Sequence, residues 1–210
     1  MCSIQALLFD LGGVVIDIDF DRMLRHWLPH SRLTLAQMRE RLQADELYCR
    51  HERGEIDAAR YMAHLREVFA LDAEPQTVTA GWNAMLVDEI PETLELVEHL
   101  APRLPCYAFS NTSAVHHAEW GPRFPRVSAA FEQLFLSFQL GLRKPDREAY
   151  HAVAREIETD PGSILFFDDT EENVTGAHRA GLDAVLVRRP DDIVDALTQR
   201  GLYVPPHANP

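Results

Sequence analysis

Cysteine is scarce in this chain. Three occur in 210 residues, Cys2, Cys49 and Cys106, odd in number and far apart. That spacing excludes a disulfide framework and a cysteine metal site, and it fits a reducing compartment. Positive charge is also short: 20 Lys+Arg stand against 33 Asp+Glu, for a formal net charge of −13. Such a balance argues against nucleic acid and against an anionic membrane surface as partners. An anionic small molecule would need a local positive field to bind at all. Long apolar runs are missing too. The first one ends at Asp10, too early for a signal peptide or a membrane span. The expectation is a soluble, cytoplasmic protein, monomeric by default. No internal repeat or low-complexity block appears, and no histidine is paired with a serine or cysteine in a nucleophile motif. What remains, at 46% hydrophobic composition, suffices for one substantial core and a small second module.

Against these absences one pattern occurs twice. Leu7-Leu8-Phe9 ends in Asp10 and a glycine turn, and Ile164-Leu165-Phe166-Phe167 ends in Asp168-Asp169. Two buried strands thus each deliver acid at their C-terminal ends, the edge where parallel α/β sheets bind ligands. Converging carboxylates repel by roughly 4 kcal/mol per pair at ~4 Å and an effective dielectric of about 20. A hard dication, Mg²⁺ above all, removes that cost and prefers oxygen ligands.

From Pro91 onward strand and helix signals alternate. Helices are expected over Pro91–Leu100, Arg147–Arg155, Glu171–Ala180 and Asp191–Gln199. Strands are expected over Pro105–Phe109, Phe135–Phe138, Ser163–Phe167 and Ala184–Val187. Such alternation implies crossovers and a parallel sheet. The fold class is therefore α/β, a Rossmann-like parallel sheet. Between Asp17 and Val87 the alternation vanishes, and apolar spacing (Leu35, Met38, Leu42; Tyr61, Leu65, Val68, Phe69) reads as helix, with Gly54 and Asp57 as turn and N-cap. Residues 1–16 and 88–210 are read as the α/β core and 17–87 as a helical cap inserted over the sheet's C-terminal edge. The tail Val204–Pro210 reads as frayed.

Several residues are candidates for chemistry, each with a plainer alternative. Asp10 suits a carboxylate nucleophile, or a turn-capping acid. Ser110-Asn111-Thr112 ends a strand and suits an anion, or a helix N-cap. Lys144, fixed by Pro145, can neutralise a phosphate, or lie solvated in a loop; Arg143 is a weaker candidate of the same kind. Asp168 and Asp169 point to metal binding, one direct and one through water, or to complementing a helix dipole. Asn173 is placed to orient an acid. His51, Arg53, Glu55 and Trp82 are candidate pocket residues, whereas His26, His30, His116 and His117 read as surface or core.

Together Phe9-Asp10-Leu11-Gly12-Gly13-Val14, Phe109-Ser110-Asn111-Thr112, Arg143-Lys144-Pro145 and Phe166-Phe167-Asp168-Asp169 with Asn173 resemble the haloacid dehalogenase superfamily of phosphatases and dehalogenases. The stretches Asp10–Phe20 and His51–Ile56 are similar to a branch of bacterial α-D-glucose-1-phosphate phosphatases and the N-terminal phosphatase domain of mammalian epoxide hydrolase. The resemblance implies a Mg²⁺-dependent phosphatase for a small phosphorylated metabolite. Asp10 would form an aspartyl-phosphate. Asp10, the Gly12 carbonyl and Asp169 would hold Mg²⁺, with Asp168 largely through water. Ser110, Asn111 and Lys144 would hold phosphate, with Asn173 in support. One position departs from the pattern. Most family phosphatases carry a second aspartate two residues after the nucleophile; here that residue is Gly12. General acid–base help is typically worth 10²- to 10⁴-fold. A sugar 1-phosphate, whose anomeric leaving group is more acidic than an ordinary alcohol, is expected to tolerate the loss. Asp17 and Asp19 are conceivable substitutes. The same gap keeps two other readings open, a metal-independent 2-haloacid dehalogenase and a binding protein on a decayed scaffold.

Overall fold

A computed structural model describes residues 3–204. In chain order its elements are β1 (Ala6–Phe9), β2 (Ile16–Ile18), α1 (Phe20–Trp27), α2 (Leu35–Arg41), α3 (Glu46–Glu52), α4 (Ala58–Val68), α5 (Pro75–Asn83), β3 (Leu86–Glu89), α6 (Pro91–Leu100), β4 (Cys106–Ser110), α7 (Ala114–Arg123), α8 (Pro125–Ala130), β5 (Gln133–Leu136), α9 (Ser137–Leu140), α10 (Arg147–Glu156), β6 (Ile164–Asp168), α11 (Glu171–Ala180), β7 (Asp183–Leu186) and α12 (Pro190–Gln199). Apart from Val204, the tail expected to fray lies outside the described residues, as does Cys2.

Five strands form one parallel sheet in the order β5-β4-β1-β6-β7. The apolar runs are continuous because both faces are covered. Alternation still divides them. Leu7, Phe9, Leu165 and Phe167 pack into one core with α6, α8 and α12, and Ala6, Leu8, Ile164 and Phe166 into a second with α10 and α11. Chain order runs outward from β1 to β4 and β5, then returns to β6 on β1's other side. The ends of β1 and β6 therefore flank a topological switch point, where such sheets bind ligands.

Two expectations need correction. The stretch 17–87 is not helical throughout. Ile16–Ile18 and Leu86–Glu89 pair as an antiparallel ribbon, extended by hydrogen bonds from Ile90 N to Val15 O and Asp19 N to Met85 O (2.8 and 2.9 Å). Both proposed boundaries, at 17 and 87, fall inside this ribbon, and helices α1–α5 lie between its strands. The strand expected over Phe135–Phe138 ends at Leu136. Ser137 Oγ accepts from Thr112 N and donates to Thr112 O (2.9 and 3.0 Å), which draws the chain out of the ladder into α9. The inserted helices share the first core. Trp27 is fully buried, its indole donates to Val78 O at 3.1 Å, and α1 lies so close to α5 that a Cβ at Gly81 would fall 1.9 Å from Trp27 Nε1. Among the described residues no helix is long and apolar enough to cross a membrane.

Candidate active site

Asp10 follows β1 and stays in register with β6 through its N–H to Phe167 O (2.8 Å). Its Oδ1 accepts from Leu11 N at 2.7 Å and from Lys144 Nζ at 2.9 Å. Lys144 is 0% exposed. Its ammonium also donates to Asp168 Oδ2 (2.7 Å) and Phe109 O (2.8 Å), so all three protons have acceptors. The rings of Phe109 and Phe166 flank the charge, each 5.3 Å away. The backbone of Lys144 is fixed as well. Asn111 accepts from Lys144 N (2.9 Å) and donates to Lys144 O (2.8 Å).

That clamp takes up the Asn111 amide oxygen and one of its two Nδ2 hydrogens, which leaves the other hydrogen and the backbone N–H to offer an anion. Ser110, buried at the end of β4, lines the cavity. Asp168 faces inward. Besides Lys144 its oxygens accept from Thr170 N (2.9 Å) and from Asn173 Nδ2 (3.0 and 3.1 Å). Four contacts fill the lone pairs of a carboxylate, so Asp168 anchors the lysine. Asp169 faces the cavity with Asp10. Gly13 makes room for it: φ is +73°, and a Cβ there would lie 2.2 Å from Asp169 Oδ2.

One ligand oxygen from each of Asp10, Asp168 and Asp169 falls within 4.8 Å of the others. Three carboxylates share a single ammonium, and the imbalance shows in their acidity. Burial holds Asp10 well above the usual carboxylate range; Lys144 opposes the shift, and Asp168 and Asp169 reinforce it. Burial and then Asp168 raise Asp169. Burial would lower Lys144, but Asp10 and Asp168 outweigh it and raise the lysine. An all-oxygen set with surplus negative charge fits a hard dication such as Mg²⁺. Asp10 and Asp169 would hold it with the Gly12 carbonyl, and it would supply charge neutralisation and Lewis acidity. A raised carboxylate pKa favours the folded state at low pH and loses that contribution as pH climbs from the unfolded value near 3.8 through the folded one. In EDTA, stability is therefore expected to fall from pH 5 to pH 8. Mg²⁺ at about 100 times its Kd should restore roughly 2.7 kcal/mol, with a larger effect at pH 8, where protons no longer compete. Thermal melts at the two pH values check this; equal protection at both would count against a carboxylate metal site.

A cavity of about 400 Å³ opens above Asp10 and Asp169, lined on its far side by Tyr48, His51, Glu52 and Trp82 from the inserted helices. Of the candidate pocket residues, His51 and Trp82 line it. Arg53 and Glu55 do not; they pair with each other at 2.5 Å on the surface. His116, read as surface or core, also lines the cavity, stacked on Trp82 with ring centroids 4.7 Å apart. Burial lowers both histidines, His116 to about 4, so both are neutral near pH 7. The nitrogens of His51 make no hydrogen bond of ordinary geometry, although the Ile56 backbone is close enough to oppose the burial effect. Asp17 is exposed and Asp19 caps α1 through Asp21 N (2.8 Å), so neither lies where the missing aspartate would act. Space does not dictate Gly12: a Cβ there would meet only Ile18, its Cγ1 at 3.4 Å. Sequence reasoning missed Tyr48 and Glu52; Glu52 falls inside the His51–Ile56 motif, and Tyr48 has no signal of its own.

A parallel sheet with acids at a switch point, a buried lysine between them and an inserted helical segment above define a hydrolase of a known kind. A family profile for haloacid dehalogenase-like hydrolases matches residues 4–181, and the chain belongs to that family. It is 25% identical over 179 residues (81% of this chain, 85% of the relative) to the D-ribitol-5-phosphate phosphatase of Bacteroides thetaiotaomicron. It is 28% identical over 205 residues to drimenol cyclase drtB of Aspergillus calidoustus, covering 93% of this chain but 36% of that protein. A haloacid dehalogenase family enzyme of B. thetaiotaomicron, solved with magnesium and inorganic phosphate, superposes with a TM-score of 0.74 at 29% identity, over 88% of this chain and 94% of that one. The chain is a haloacid dehalogenase-like hydrolase, and phosphatase activity is what these relatives support.

Proposed function

We propose that this protein is a Mg²⁺-dependent phosphomonoesterase that works through an aspartyl-phosphate on Asp10. The observation that carries the reading is the Asp10–Lys144–Asp168 chain of ion pairs, which runs from the cavity floor at Asp10 to the buried groups beneath it, with Asp169 within metal-sharing reach of Asp10. Lys144 and Leu11 N hold Asp10 through Oδ1, which leaves Oδ2 as the atom that attacks phosphorus. The alcohol leaves with the phosphorus–oxygen bond electrons and takes its proton from water, since Gly12 offers none, and a second water then hydrolyses the acyl phosphate to inorganic phosphate and the free Asp10 carboxylate. Ser110 and the Asn111 backbone N–H steady the phosphoryl oxygens, and the charge on Lys144 offsets theirs. Helices α1–α5 act as a cap that closes the site from water. The substrate is a small phosphorylated metabolite, and with Gly12 in place of an acid, a sugar 1-phosphate such as α-D-glucose 1-phosphate fits best. Cys49 and Cys106 are free thiols, as a reducing cytoplasm allows.

Phosphate release from sugar phosphates, nucleotides and phospho-acids is expected with Mg²⁺ and to vanish with EDTA. Chloride release from a 2-haloacid, insensitive to EDTA, would replace this reading with a dehalogenase.

A further inference from the structure

One guanidinium reaches the cavity, and it is already engaged. Arg143 lies in the turn after α9; its Nε donates to Glu52 Oε2 at 2.9 Å, and its Nη2 lies at ion-pair distance, 2.9 Å, from the same oxygen. The pair joins the cap to the core away from solvent, the Glu52 side chain 5% exposed and that of Arg143 17%. The Tyr48 hydroxyl is close enough to the same carboxylate to favour its charged form. Burial raises the Glu52 acid, and Arg143 and then Tyr48 oppose that rise. Gly54 brings the end of α3 this close. Its φ is +69°, and a Cβ there would lie 2.5 Å from the carbonyl of Phe138, in the helix that leads to Arg143.

No other cation faces the cavity among the described residues. His51 and His116 are neutral, Lys144 lies beneath the floor, and Arg188 sits outside the lining, donating to Asp169 O at 3.1 Å. Acids are plentiful: Asp10, Glu52, Asp169 and Glu172 all line the cavity. A bound dication and Lys144 would only offset the charges of Asp10, Asp168 and Asp169, so the floor holds no positive surplus for a second anion. A second anion on the substrate would meet carboxylates and a guanidinium that is already neutralised.

Resting on the phosphatase reading, we infer that Glu52 determines specificity: by holding Arg143 it confines substrates to organic monophosphates whose remaining part is uncharged, and it excludes phosphocarboxylates and bisphosphates. Glycerol 1-phosphate and phosphoglycolate are similar in size and differ in charge, so they make the test. With Mg²⁺ the unmodified protein should favour glycerol 1-phosphate in kcat/KM by about tenfold or more, the scale of one charge-assisted hydrogen bond. Glu52→Gln keeps the shape, releases the charge of Arg143, and should shift that ratio toward phosphoglycolate by about tenfold. The double variant Glu52→Gln/Arg143→Gln should return it to the starting value. Calorimetric binding of both ligands in the Asp10→Asn background gives the same ratios without turnover. A ratio unchanged within about twofold in Glu52→Gln, or a preference for phosphoglycolate in the unmodified protein, overturns the inference. The second measurement uses no cap variant, so a misfolded Glu52→Gln does not remove the decision. If neither ester is hydrolysed, the phosphatase reading fails and the binding ratios still decide this one.

Discussion

Lys144→Met should unfold about 10 °C below the parent protein at pH 8 in EDTA, and its turnover should fall by roughly 10³-fold. Lys144 is the only lysine in the chain. Among the described residues it is also the only cation paired with this carboxylate cluster, with its protons on Asp10, Asp168 and Phe109 O. Removing one partner of a buried ion pair costs about 3–5 kcal/mol, because the remaining charge has nothing to offset it. For a chain of this size each kcal/mol lowers Tm by roughly 2–4 °C. The loss should shrink toward pH 5, where protons take the lysine's place on carboxylates whose folded pKa values are already raised. Arginine should not rescue it. A compact ammonium satisfies three acceptors between two phenyl rings, whereas a planar fork cannot. Thermal melts at both pH values with phosphate-release kinetics read this out. A Lys144→Met protein melting within about 2 °C of the parent at pH 8 would show that the lysine does not carry the charge balance.

The floor of this site was legible in the sequence because its signals are local. Leu7-Leu8-Phe9-Asp10 and Ile164–Asp169 each state a buried strand and an acid at its end, and parallel topology brings those ends together. Adjacency left open which of Asp168 and Asp169 faces inward. Strand alternation sends them opposite ways, and Asp168, still in the ladder opposite Leu186, is the one that turns to Lys144. The Ser110-Asn111-Thr112 turn was equally visible, but the direction of the Asn111 amide was not, since its partner lies 33 residues away.

The roof was far less legible. Ile16–Ile18 is too short for periodicity to reveal, and its partner strand lies beyond five helices. Glu52 and Arg143 are 91 residues apart, and neither has local context marking it as buried. His116 reads as a solvent or core histidine in sequence because its place in the cavity wall rests on stacking with Trp82, 34 residues away. The cavity roof is made of long-range pairs, whereas the clustered acids sit at strand ends, where a single sequence speaks most plainly.

Asp10→Asn separates chemistry from folding more cleanly than any other change. The amide keeps an oxygen that can accept from Leu11 N and Lys144, so the geometry around β1 survives. Lost are the attacking carboxylate and one negative charge. Turnover should drop by at least about 10⁴-fold, the scale seen when a covalent nucleophile is removed. Stability should move the opposite way. Burial, Asp168 and Asp169 all disfavour an ionised Asp10, and its folded pKa lies well above its unfolded one. Below the unfolded pKa, the parent and the Asp10→Asn variant should therefore be alike. As pH rises through the folded pKa the parent loses stability that the variant keeps, so in EDTA at pH 8 the variant should melt higher, by roughly 2–4 °C for each kcal/mol of relieved repulsion. Saturating Mg²⁺ should erase or reverse that advantage, because the parent then gains a ligand the amide supplies poorly. A variant that melts higher in EDTA and releases no phosphate identifies Asp10 as a nucleophile kept at the expense of stability. One that melts lower and keeps a tenth or so of its activity would make Asp10 a structural acid, and the attack would have to come from elsewhere.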